Sequence, residues 1–161
     1  MSSNSSGVAA VQKKNAAEPV GGEREFVTMR VGGQLFGIPV LLVRDVLGPQ
    51  KITRVPLAPP EVAGSLNLRG RIVTAIDVRK RLRLPAADGG NGMSVVVEHA
   101  AELYSLLIDQ VGEVLNLPAA LFERNLPTLD PAWREFSTGI YRLKDELLVV
   151  LDIDRVLDLG A

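Results

Sequence analysis

The sequence predicts an all-β protein made of two small barrels packed together, with short helices between strands. Three observations carry that expectation. Apolar residues come in short runs dominated by 20 Val, 7 Ile and 23 Leu, divided by Gly, Pro and Asn clusters at close intervals, which is the pattern of strands and turns. One β unit occurs twice along the chain. Helical periodicity is convincing in only two short places, Val78 to Leu82 and Ile153 to Leu157.

Residues 1–24 are rich in Ser, Asn, Ala and Gly and end near Pro19 and Gly21-Gly22, so they read as a disordered N-terminal tail. Lys13 and Lys14 follow the weakly apolar stretch instead of preceding it, which is the wrong order for a secretory signal. Glu25 to Val31 and Gln34 to Ile38 form a hairpin around Gly32-Gly33, where small residues accept positive φ. Pro39 limits the second strand. Further strands are expected at Ile52 to Val55, Gly64 to Leu68, Arg71 to Ile76, Ser94 to Ala100, Glu102 to Ile108, Val111 to Leu117, Ile140 to Leu143 and Leu147 to Leu151.

Shifted by 68 positions, Leu35-Phe36 falls on Leu103-Tyr104, Ile38 on Leu106, and Val43 to Leu47 on Val111 to Leu115. At an offset of 75, Gly64 falls on Gly139, Leu68 on Leu143, Ile76-Asp77-Val78 on Leu151-Asp152-Ile153, and Leu82 on Leu157. The order of these matches predicts a first barrel repeat over 25–88 and a second over 89–161. Units of this size have marginal cores, so they should share an interface, with exchange of strands between barrels compatible with one domain. Closure into barrels removes exposed strand edges, and the groove between the barrels is where a partner would bind.

Composition excludes several chemistries. With 18 Lys plus Arg against 19 Asp plus Glu, the net charge of -1 argues against a phosphate-neutralising surface. The chain has no Cys and one His, which removes disulfides, thiolate sites and two-histidine zinc sites. No window approaches the ~20 apolar residues of a membrane-spanning helix, so a soluble, cytoplasmic protein without cofactor or metal is expected.

Candidate catalytic groups are few. His99 follows Glu98 in a strand, where neighbours face opposite sides, and it reads as an edge histidine. Asp152 and Asp154 alternate as a magnesium pair would, yet in the repeat Asp77 matches Asp152 while Arg79 matches Asp154. Each repeated Asp precedes a short helix and is expected to cap it. Gly89-Gly90-Asn91-Gly92 lacks the Lys-Ser/Thr of a P-loop and reads as the linker between repeats. Arg69, Arg71, Arg79, Lys80, Arg81 and Arg83 form a basic run without aromatic residues, so stacking on single strands is poorly supported. The remaining feature is Leu66-Asn67-Leu68-Arg69-Gly70-Arg71. Its glycine allows a sharp reversal, and Arg69 is expected to bury its stem while its fork pairs with a carboxylate, Asp45 first among the candidates.

At these residues the sequence resembles the CheW family of chemotaxis coupling proteins. The resemblance rests on Phe36-Gly37-Ile38, Val43-Arg44-Asp45-Val46, Thr53-Arg54-Val55-Pro56, Gly64 to Gly70, Ile72-Val73, Ile76-Asp77-Val78-Arg79, Asp109 to Leu115 and Leu151-Asp152-Ile153. It implies two intertwined five-stranded, SH3-like β-barrels and a non-enzymatic adaptor that bridges the histidine kinase CheA, through its regulatory domain, to methyl-accepting chemoreceptors at arrays on the inner membrane. Carried over residue by residue, it implies a receptor-binding groove of Val43, Asp45, Val46, Gly64, Leu68, Arg69, Gly70 and Val114. Departures are Thr74 where many members have Pro, Ser105 where Gly is usual, and Lys144-Asp145-Glu146 in place of a glycine turn. Two other readings stay open: the same adaptor in an array serving another pathway, and a small nucleic-acid binder using Arg71 to Arg83.

Overall fold

The computed structural model describes residues 22–85, 92–124 and 131–159. The expected tail and linker therefore fall largely outside the described residues. Glu23 and Arg24, assigned by sequence to the tail, are instead the first residues of a strand.

Ten strands follow in order: β1 (Glu23–Val31), β2 (Gln34–Pro39), β3 (Val43–Leu47), β4 (Val62–Leu68), β5 (Arg71–Asp77), β6 (Met93–His99), β7 (Glu102–Ile108), β8 (Gln110–Pro118), β9 (Ser137–Arg142) and β10 (Leu147–Leu151). Among the described residues three single-turn α-helices accompany them, α1 (Val78–Arg81), α2 (Pro131–Arg134) and α3 (Ile153–Val156). The strands form two five-stranded sheets, β9-β10-β2-β1-β8 and β3-β6-β7-β5-β4. Neither sheet coincides with 25–88 or 89–161, because each takes strands from both halves of the chain.

The register shows why. In the first sheet Phe36 pairs with Val149 and Gly37 with Val150, in parallel; in the second, Tyr104 pairs with Thr74 and Ser105 with Ala75, also in parallel. Adding 68 to the first members and subtracting 75 from the second converts one ladder into the other. The offset of 68 on both members carries Val27 opposite Val114 onto Val95 opposite Val46, and the offset of 75 on both members carries Gly139 opposite Val150 onto Gly64 opposite Ala75. A twofold-like relation thus connects the two sheets, and in each sheet a parallel ladder joins strands from the two halves of the chain.

Burial follows this symmetry. Phe26, Leu35, Tyr141, Leu148 and Val150 fill the first barrel. Leu66, Val73, Ala75, Val96 and Leu103 fill the second. A third cluster, including Met29, Phe36, Ile38, Ile76, Leu106 and Val149, is drawn from both sheets and glues them together. Most stability belongs to this shared layer, since apolar burial contributes about 25 cal/mol per Å2.

Asp77 and Asp152 do cap their helices, accepting from the N–H groups of Lys80 and Arg155 at 3.2 and 3.3 Å. Other expectations need correction. Ile52 to Val55 makes only a bridge, Thr53 with Ser65, because Pro56 lacks the N–H that would extend a ladder. Val43 to Leu47 is a strand the apolar pattern did not show; its residues are half-buried and exposed in alternation, with Arg44 and Asp45 diluting the run. The one-turn α2 is too short to carry a period.

Two departures acquire physical meaning. Ser105 is fully buried, and its Oγ has no hydrogen-bond partner among the described residues. Ser105→Ala is expected to raise stability by about 1 kcal/mol, measured by denaturant unfolding, because it removes a desolvated hydroxyl at little cost in volume. Glu146, at the end of the altered turn, takes a two-pronged bond from the Arg30 guanidinium at 3.0 and 2.7 Å. That bond holds the Glu146 carboxyl below the usual carboxylate range against the opposing effect of burial.

Candidate functional site

The Asn67-Leu68-Arg69-Gly70-Arg71 segment closes the β4–β5 hairpin, with Leu68 opposite Arg71 and only two residues between them. Arg69 and Gly70 have φ of 51 and 86, as a two-residue turn of the primed kind demands. Glycine adopts this freely, whereas Arg69 carries a strain of about 1 kcal/mol. Asn67 steadies the turn, its Oδ1 accepting from the Gly70 N–H at 2.9 Å.

The turn presents Arg69 to β3. One guanidinium nitrogen lies 2.9 Å from Asp45 Oδ2, so the sequence-derived pair is formed. Its burial is not as expected: the Arg69 side chain is 76% exposed and only Asp45, at 23%, is sheltered. Asp45 is held in turn by the Val46 N–H, which donates to its Oδ1 at 2.9 Å. An exposed pair of this kind adds at most about 1 kcal/mol to stability, and its value lies in orienting a cation that faces outward.

The rest of the predicted set divides. Val43 packs on the shared core, Val46 is partly exposed beside Asp45, and Leu68 packs on the second barrel's interior. Gly64 is buried and shapes the surface without lining it: a Cβ there would lie 2.2 Å from the Thr53 carbonyl oxygen. Val114 stands on the other sheet, exposed, as the symmetry counterpart of Val46. A larger depression, between the start of β1, residues 40–42 and the β10–α3 junction, is lined by Leu41, Phe122, Ile153 and neighbours, and by none of the predicted set.

The basic run is largely spent within the chain. Arg79 grips Asp109 through two bonds of 3.1 and 2.6 Å. Arg81 donates to the carbonyls of Val156, Arg155 and Asp158 at the end of α3. Arg83 approaches Glu135 at 3.7 Å. His99 sits at the end of β6 with Nδ1 3.2 Å from Asp154, while Glu98 is bound by Arg44; these neighbours point apart and build no acid–base pair. Asp154 therefore faces His99 while Asp152 caps α3, and the two do not converge as ion ligands. Sequence reasoning missed Asp109, whose role appears only when the β7–β8 link is seen beside α1.

The description CheW-like domain fits residues 25–160 by comparison with the family profile. The chain belongs to the CheW-like domain family. It is 31% identical over 158 residues to the chemotaxis protein CheW of Klebsiella aerogenes, covering 94% of this chain and 90% of the relative. With the chemotaxis protein CheW of Rhizobium meliloti it shares 30% over 148 residues, 88% of this chain and 93% of the relative. Scaffolding protein TtCheW from Thermoanaerobacter tengcongensis superposes with a TM-score of 0.77 at 24% identity, covering 85% and 94% of the two chains, which shows the shared fold. This CheW-like chain is accordingly an adaptor of the chemotaxis scaffold type. No helix among its described residues is long and apolar enough to cross a membrane.

Proposed function

We propose that this CheW-like chain couples the histidine kinase CheA, through the kinase's regulatory domain, to the cytoplasmic tips of chemoreceptors, working in the cytoplasm at receptor arrays and transforming no substrate. The observation that carries the reading is the outward-facing Arg69, held by a strained turn and braced by Asp45. An exposed cation fixed in place by a sheltered acid is suited to orienting a protein partner, because charge complementarity sets register and encounter rate. The apolar neighbours Val46 and Leu68 supply contact area beside it.

The two-barrel construction favours an adaptor over an enzyme. It offers two related surfaces on one rigid shared core, so two proteins can be held at a fixed geometry. A nucleic-acid role is disfavoured by the internal engagement of Arg79, Arg81 and Arg83.

Arg69→Ala tests the site. It should leave Asp45 without its cation and weaken binding of a receptor tip fragment about tenfold, read by titration calorimetry, with the unfolding midpoint nearly unchanged because the pair is exposed. Unaltered affinity would remove Arg69 from the interface.

A further inference from the structure

The mouth of the second barrel holds a dent of about 170 Å3, floored by Leu68, Val96 and Leu103 and rimmed by Arg44, Asp45, Arg69 and Arg71. A 150 Å3 apolar cavity accommodates a benzene ring, so the dent has room for one side chain. The interior of this barrel is also filled by smaller side chains than its counterpart. Where the first barrel is packed by Phe26, Tyr141, Leu148 and Val150, the second has the smaller Ser94, Leu66, Val73 and Ala75 at the matching positions.

The charges at the two mouths also correspond. Arg71 matches Glu146 at an offset of 75, and Glu98 matches Arg30 at an offset of 68. At the first mouth Glu146 and Arg30 are bonded to each other through both prongs. The symmetry therefore calls for an Arg71–Glu98 pair at the second mouth, with the signs exchanged. That pair is not made. Glu98 is taken by Arg44, whose Nε donates to it at 2.9 Å, and Arg69 is taken by Asp45. Arg71 is exposed and has no ion pair or side-chain hydrogen bond among the described residues. Three cations thus face two acids, leaving one positive charge beside an open apolar dent.

We propose that this mouth receives an acidic protein segment, placing an apolar side chain in the dent and an adjacent Asp or Glu against Arg71, which then acts as a specificity-determining residue. The fork of an arginine suits a carboxylate held in two-pronged fashion, the geometry Arg30 and Glu146 already show at the other mouth. The inference rests on the proposed receptor-facing surface, which shares Leu68 and Arg69 with the dent, and adds to it the chemistry of the partner.

The test uses the full chain and a receptor tip fragment, with affinity measured at several salt concentrations for wild type, Arg71→Glu and Arg69→Ala. Arg71→Glu should weaken binding at least tenfold, lower its salt dependence, and leave the unfolding midpoint in place. Replacing the contacting acidic residue of the fragment by lysine should restore binding to Arg71→Glu. Wild-type affinity for Arg71→Glu alongside weakened Arg69→Ala would overturn the inference and leave the receptor surface standing. If neither variant is affected, the receptor surface itself is wrong. Loss of binding to a labelled oligonucleotide, with fragment binding intact, would also overturn it by assigning Arg71 to nucleic acid.

Discussion

Gly64→Ala is expected to destabilise the fold by about 3 kcal/mol or more, seen as a large fall in denaturant midpoint or as failure to fold. Two costs combine. At φ of 151 the backbone lies where a side chain is strained, a penalty of about 1 to 3 kcal/mol. The added Cβ would also lie 2.2 Å from the Thr53 carbonyl oxygen, and that oxygen is fixed because it accepts from the Ser65 N–H at 2.8 Å. Neither group can retreat without breaking the bridge that closes the second barrel, and overpacking of this kind costs about 1 to 3 kcal/mol further. Gly139→Ala should behave alike, since its Cβ would meet the Glu123 carbonyl oxygen at 2.4 Å at φ of 159. Gly33→Ala is the control: φ is 84 but nothing lies within 4 Å, so only the strain remains. Equal losses at Gly33 and Gly64 would contradict the role of close approach.

Arg79→Ala should cost about 2 kcal/mol and make the protein less sensitive to acid. Arg79 leaves α1, on the second sheet's crossover, and bonds Asp109 in the β7–β8 link, while Asp109 Oδ2 also accepts from the Gly32 N–H at 2.9 Å in the β1–β2 turn. One carboxylate therefore ties a helix of one barrel to a hairpin of the other. The side chains are 19% and 32% exposed, so removing the cation strands a partly sheltered charge; the loss is smaller than the 3 to 5 kcal/mol of a fully buried pair. Burial pushes the Asp109 carboxyl up, but Arg79 and the Gly32 N–H together outweigh it and hold it below the ordinary value. A carboxyl lowered in the folded state contributes stability above its unfolded pKa and loses that contribution as pH falls through the folded value. Wild type should thus lose stability below about pH 4, and Arg79→Ala should lose less over the same interval. A parallel pH profile for the two proteins would show that Asp109 is not held by Arg79.

Much of the architecture was legible in the chain, and the reasons are specific. The offsets of 68 and 75 were readable because the repeated residues occupy equivalent register positions in the two sheets, Phe36 with Val149 in one and Tyr104 with Thr74 in the other. Asp77 and Asp152 were recognisable as caps from their place between an apolar strand and a helix. What did not show was anything requiring knowledge of which distant segments meet. Strand β3 was hidden because Arg44 and Asp45 interrupt its short apolar run. The assignment of strands to barrels was hidden because local pattern is identical whichever partner a strand takes. Of the site, the Asp45–Arg69 pair could be anticipated from the glycine turn and an acid brought from a distant segment, but the exposure of Arg69 could not. The unpaired state of Arg71 emerges only after Arg44 is seen to hold Glu98.

Under the proposed function, the pair of barrels holds two other proteins at once. Co-sedimentation of the chain with receptor tip fragments and with the kinase regulatory domain, separately and then together, tests it most directly. Two binary complexes are expected, together with a ternary complex in which the kinase domain sediments with receptor only when the chain is present. Failure of the kinase domain to sediment in the three-component mixture, with both binary complexes intact, would contradict it.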